Sequence, residues 1–137
     1  MATLPAYGTP AYALTRALPG RDFAATIEAT KAVLAESGFG VLTTIDVQAT
    51  LKKKLDEDLP GYMILGACAP KFAFHALSME PGIGVLLPCN VVVTEEPGQI
   101  VVSAIDPRAM FSVVTNADVA PVADQIHNLL QAALDRL

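Results

Sequence analysis

Apolar residues fall in short runs along the chain, alternating with polar ones in some stretches and recurring at helical spacing in others. After a Gly8-Thr9-Pro10 turn, Tyr12 to Leu18 predicts a first strand that Pro19-Gly20 ends. Asp22 is placed to cap a helix in which Phe23, Ile27, Thr30 and Leu34 share a face that Val33 widens, with Ser37 and Gly38 as the stop. Val41 to Ile45, rich in β-branched side chains, predicts a second strand, and Asp46 caps the polar element after it. That element carries Lys52 to Lys54 and Asp56 to Asp58 and reads as a solvated helix end. Gly61 to Cys68 is apolar on both faces, as expected of a centrally placed third strand.

Pro70 suits the first turn of a helix, where a missing N–H costs nothing, and Phe72, His75 and Ala76 are expected on one side of it. Glu80-Pro81-Gly82 closes that helix. Gly84 to Leu87 and Asn90 to Glu95 then read as one long or broken strand, bent or bulged at Pro88. Glu96-Pro97-Gly98 is a compact reversal into Gln99 to Ile105, which pairs antiparallel with the segment before it. Asp106-Pro107 interrupts the sheet, Met110 to Val114 adds a short strand or helical turn, and a last helix starting near Ala120-Pro121 carries Val122, Ile126, Leu129, Leu130 and Ala133. The Pro97-Gly98 connection is too short to hold a crossover helix, which excludes an all-parallel sheet. The fold class is therefore α+β, a two-layer mixed or antiparallel sheet covered by helices, in one compact domain over residues 1–137.

Composition narrows the partners. With 53% hydrophobic and 17% charged residues, the 137-residue chain can fill a core, and disorder is excluded. Nine Lys and Arg against fourteen Asp and Glu, a net charge of −5, argue against nucleic acid, as does the absence of a basic surface interleaved with aromatics. The first residues carry no basic segment leading into a long apolar core, so no secretory signal is expected. The strongest apolar runs, Met63 to Leu65 and Val85 to Val93, contain or end at Gly66, Pro88 and Asn90 and fall short of the roughly 20 residues of a membrane span. Two cysteines make no disulfide scaffold, and a cytoplasmic location follows as the expectation.

Chemically adaptable groups gather between Tyr62 and Asn90: Cys68, Lys71, His75, Glu80, Cys89 and Asn90. Cys68 precedes the Pro70 helix, whose first N–H groups, together with Lys71, would favour a thiolate. Were the two sheet segments neighbours, Cys68 and Cys89 would make a redox pair, two soft metal ligands, or pocket cysteines without covalent chemistry. No Cys-x-x-Cys or zinc spacing is present, and neither metal nor cofactor is assigned. His75 reads as a neutral ring on the Phe72 and Ala76 stripe or as a proton-transfer group, and Glu80 as a helix-end cap or a pocket carboxylate. Asn90 either fixes a ligand or ties the irregular strand to a loop, while Lys71 reads as solvated. Pro70 and Pro88 are structural, and His127 is a helix-surface or interface residue. Gly82-x-Gly84 is no phosphate loop, no dinucleotide fingerprint is present, and no hydrolase triad emerges.

Three linked blocks, Tyr62-Met63-Ile64-Leu65-Gly66-Ala67-Cys68-Ala69-Pro70, Ala76-Leu77 with Glu80-Pro81, and Gly84 to Val93 with Pro88-Cys89-Asn90, resemble the domain-of-unknown-function 302 family. Ala69 departs from the Asn common in relatives between the first cysteine and its proline. The resemblance implies a compact α/β fold over nearly the whole chain, a homodimer, and an uncharacterised bacterial group with some relatives joined to redox or sulfur-handling domains. Its shared pattern falls on Cys68, Pro70, Glu80, Pro88, Cys89 and Asn90, and it brings no catalytic assignment. The expected function is that of a soluble homodimeric small-molecule-binding or accessory domain, with Cys68, His75, Glu80, Cys89 and Asn90 bordering a small pocket. Two alternatives stand beside it. One is a thiol-dependent redox or transfer enzyme with Cys68 as nucleophile, Cys89 resolving and His75 assisting; the other is a structural protein-interaction subunit whose apparent pocket is filled by side chains.

Overall fold

A computed structural model describes residues 4–137; Met1 to Thr3, part of the segment read for a secretory signal, lie outside the described residues. Five strands, β1 (Ala13–Pro19), β2 (Gly40–Asp46), β3 (Tyr62–Cys68), β4 (Cys89–Glu96) and β5 (Gln99–Ile105), form one sheet in the order β1-β5-β4-β3-β2. Every neighbouring pair is antiparallel, so of the two sheet types left open by the short connections the antiparallel one is realised. β2 to β5 are laid down in sequence order, and β1 closes the far side against β5. That order makes β1 and β2 the two edges. The segment joining them, α1 (Phe23–Glu36), must therefore cross the sheet.

Local chemistry starts and stops α1 as its sequence suggests. The Asp22 carboxylate accepts the N–H of Ala25 at 2.8 Å, and Gly38, at φ +88°, takes the left-handed turn that releases the chain into β2. Thr26, Ile27, Thr30, Val33 and Leu34 are buried by the crossing. α5 (Ala120–Asp135) lies beside α1 with Val122, Ala123, Ile126, Leu130, Ala133 and Leu134 buried, and α3 (Pro70–Met79) extends the same layer through Ala76 and the partly buried Phe72 and Met79. Against them the sheet presents alternate residues: Leu14 and Leu18, Leu65 and Ala67, Cys89, Val91 and Val93, then Ile100, Val102 and Ala104. α2 (Val47–Leu55), capped by Asp46 on Ala49, buries none of its residues, in keeping with its three consecutive lysines.

Several local expectations need correcting. Gly84 to Leu87 is not extended: Pro81–Leu86 forms a 3-10 helix with Ile83 buried, and β4 begins only after the cis Leu87–Pro88 peptide. Pro81 opens that turn, and the bonds from Ile83 N–H to the Glu80 carbonyl and from Leu87 N–H to Gly84 satisfy the backbone locally, leaving no ladder to make. Met110 to Val114 takes the helical alternative, as the end of α4 (Pro107–Met110) and a 3-10 turn. The sheet's register shift lies in β2 between Val41 and Thr43, where Leu42 is the extra residue. β3 stands second from the edge, and the centre belongs to β4.

Candidate functional site

Antiparallel pairing of β3 with β4 puts Ala67 directly opposite Cys89, so the two cysteine-bearing strand ends are neighbours. Cys68 and Cys89, both free thiols, line a single cavity with Phe39, Phe72, Leu87 and Phe111. It measures about 20 Å³, room for roughly one water, and carbon and sulfur make up nearly all its wall. Cys89 is buried at 5% exposure, and that burial, with the neighbouring Cys68 as a smaller contribution, pushes its thiol up to about 11. A thiol so placed stays protonated at neutral pH.

The other residues singled out in the sequence lie elsewhere. Phe72, Ala76 and Met79 turn inward from α3, and His75, one position before Ala76, is exposed. Glu80 ends the helix, its N–H bonded to the Ala76 carbonyl. Asn90 is exposed on the sheet face away from Cys89, opposite Gly66. Neither His75, Glu80 nor Asn90 is in the wall of the cysteine cavity. Lys71 is exposed. Pro70 opens α3, and Pro88 leads into β4 and packs on Gly66.

Room for a ligand lies at the other end of the same two strands, roughly 20 Å away along seven residues. There a cleft of about 710 Å³ is bounded by residues 4–7, by Gln48 of α2, by Pro60 and Tyr62 at the start of β3, and by Thr94 to Pro97 at the β4–β5 turn. The leading segment is held down where the Glu96 carboxylate accepts the N–H of Tyr7. Tyr62 is half-buried, and its phenol is raised above its ordinary value by that burial and then by the nearby phenols of Tyr7 and Tyr12. Two of the chain's three tyrosines, Tyr7 and Tyr62, thus line the cleft. In the sequence Tyr62 reads as a strand residue and Glu96 as part of a turn, and no local signal joins them to residues 4–7.

A second constellation also escaped notice. His127 Nδ1 lies 2.9 Å from Asp106 Oδ1, both side chains being largely buried, and the same Asp106 oxygen accepts the N–H of Arg108 at 3.0 Å. Next to it, Arg108 and Asp124 pair at 2.7 Å on the rim of a groove of about 400 Å³. These charges are satisfied within the protein. Among the described residues no group of three or more His, Cys, Asp or Glu is arranged to hold a metal, and no helix is long and apolar enough to cross a membrane.

Comparison with known proteins gives a consistent picture. A family model described as "Domain of unknown function DUF302" matches residues 14–137. The chain is similar to a solved structure, the crystal structure of an uncharacterized conserved DUF302 protein from Bacillus stearothermophilus. Identity is 28% and the TM-score 0.86, over 93% of this chain and 98% of that one. No curated protein matches the chain significantly.

Proposed function

The chain belongs to the DUF302 family, a domain of unknown function, and from that premise we propose that it is a small-molecule-binding or accessory domain whose ligand enters the cleft between residues 4–7 and the β3–β4 edge. The observation that carries this reading is the cleft itself. Its volume falls within the roughly 300–1,000 Å³ range of ligand sites, its wall is largely apolar and aromatic, and a few polar groups converge on it. The cysteine cavity, by contrast, is about one water in size. Its thiols shape the sheet end without covalent turnover: Cys89 is held protonated, and alternation along the ladder starts the Cys68 and Cys89 side chains on opposite faces.

In this reading residues 1–137 act as one domain and pair as a homodimer. The apolar surface available for pairing is formed by Phe74, Leu77 and Val85, which are 76%, 39% and 90% exposed. Screening a small-molecule fragment library against the full chain by amide NMR tests the central claim. Saturable shifts on Tyr7, Tyr62, Thr94 and Glu96, unchanged in Cys68→Ser, support it. Shifts confined to the Cys68 and Cys89 end, or a binding signal abolished by Cys68→Ser, would overturn it in favour of the thiol-dependent alternative.

A further inference from the structure

The polar atoms of the cleft wall are mostly acceptors whose complement is missing from the protein. Glu96 spends one oxygen on the Tyr7 N–H and the other on the Gln99 amide at 2.8 Å, each retaining a lone pair. Glu95 accepts the Gly61 N–H at 2.9 Å through Oε1, beside the Phe23 ring on the helix-bearing face, so strand alternation turns it away from Tyr62 and Glu96. Among the described residues neither carboxylate is paired with a Lys, Arg or His. Gln48 donates its amide nitrogen to the Leu59 carbonyl at 2.8 Å, which leaves its own carbonyl oxygen to the cleft. Thr94 likewise donates its hydroxyl to the Gly61 carbonyl at 3.1 Å. Among the described residues no Lys or Arg lines the wall.

Beside these acceptors stand the rings of Tyr7 and Tyr62 with Leu4, Pro5 and Pro97. An anion would meet the Glu96 carboxylate and no cation. A neutral acceptor would find the phenols and the second N–H of the Gln48 amide, with no charge to strengthen either contact. An ammonium group instead supplies N–H donors to the remaining lone pairs of the Glu96 carboxylate, gains from the negative ring faces, and leaves its hydrocarbon part to the apolar wall.

We propose that the cleft selects a small organic cation, an ammonium carried on an apolar body, with its charge against Glu96 and its body against Tyr7 and Tyr62. This inference rests on the cleft being the ligand site. A matched set of probes separates the two claims: phenethylammonium, 2-phenylethanol and 3-phenylpropanoate, each titrated into the isotope-labelled full chain and followed by amide NMR. Phenethylammonium is expected to saturate shifts at Tyr7, Tyr62, Thr94 and Glu96 with about tenfold higher affinity than the alcohol, the ratio of one charge-assisted hydrogen bond. Glu96→Gln is expected to remove most of that advantage while leaving the alcohol unaffected. Should that variant unfold, titration of the wild type at raised salt, which screens the charge and not the apolar contact, is expected to shrink the same advantage. Equal affinities for ammonium and alcohol at these residues, or preference for the carboxylate, would overturn the cation class and keep the cleft as a binding site. Binding of phenethylammonium away from the cleft, or none at all, would overturn the inference, and the fragment screen would then decide the cleft reading separately.

Discussion

Gly66 sits where a side chain has no room. A Cβ there would run into the Thr43 hydroxyl and come within 3.0 Å of the Pro88 ring, because the β2 register shift brings Thr43 over the strand from one side while Pro88 closes in from the other. Gly66→Ala is therefore expected to cost about 1–3 kcal/mol by overpacking, read as a lower urea midpoint at unchanged slope. Cys89 makes a different prediction. Its thiol titrates near 11 in the fold and near 9.0 when unfolded, so between those values the unfolded chain has lost a proton that the native one still binds. Stability is thus fully present below about pH 9 and falls as pH rises towards 11, by up to about 3 kcal/mol for this group. Thermal melts across that window are expected to show a shallower decline in Cys89→Ala than in the wild type; identical slopes would exclude Cys89 as the source. Neither effect was legible beforehand. Gly66 reads as an ordinary strand residue until its neighbours are known, and the Cys89 shift depends on Phe39, Phe111 and Ile126, all distant in sequence.

Helix boundaries depend on nearest neighbours, and there the sequence was informative. The sequence predicts Asp22 and Asp46 as caps, and both carboxylates accept the expected N–H groups. Asp22→Ala is accordingly expected to destabilise by about 1 kcal/mol in denaturant melts. Asp106 was read only as an interruption of the sheet, yet it caps α4 and also fixes His127 of α5, tying the two helices together. A double-mutant cycle between Asp106→Ala and His127→Ala should return a coupling of about 0.5–3 kcal/mol, whereas zero coupling would show that the pair holds nothing. Periodicity could not anticipate it, since the partners are 21 positions apart and meet only when α5 docks. The misread Gly84 to Leu87 has a similar origin. Its apolar run fits a strand or a buried turn equally well, and the need to bury Ile83 while looping back to β4 chose the turn.

Taken as a unit, the protein is a sheet with helices on one face, its chain beginning at one edge strand and crossing immediately to the other. If residues 1–137 act as one domain, calorimetry should give a single transition with equal calorimetric and van't Hoff enthalpies. If Phe74 and Val85 form the homodimer contact, Phe74→Glu and Val85→Glu should convert dimer to monomer in sedimentation equilibrium without lowering the melting temperature of the monomer. A monomeric wild type would exclude the pairing. Both claims concern surfaces and cooperativity, which composition alone does not fix.

What the chain's own pattern determined is most of the elements and the exclusion of an all-parallel sheet, because these follow from periodicity, capping and the length of connections between sequence neighbours; it left open whether the sheet is mixed or antiparallel and whether the two cysteine-bearing segments meet. The tertiary structure alone decided that the cysteine end is nearly closed while the opposite end is open, and that His75 and Asn90 face away from the cavity. It also gathered Tyr7, Tyr62 and Glu96 around one cleft. Those outcomes depend on which face each residue takes and what packs across from it, and both are set by long-range register and by the crossing of helices over the sheet.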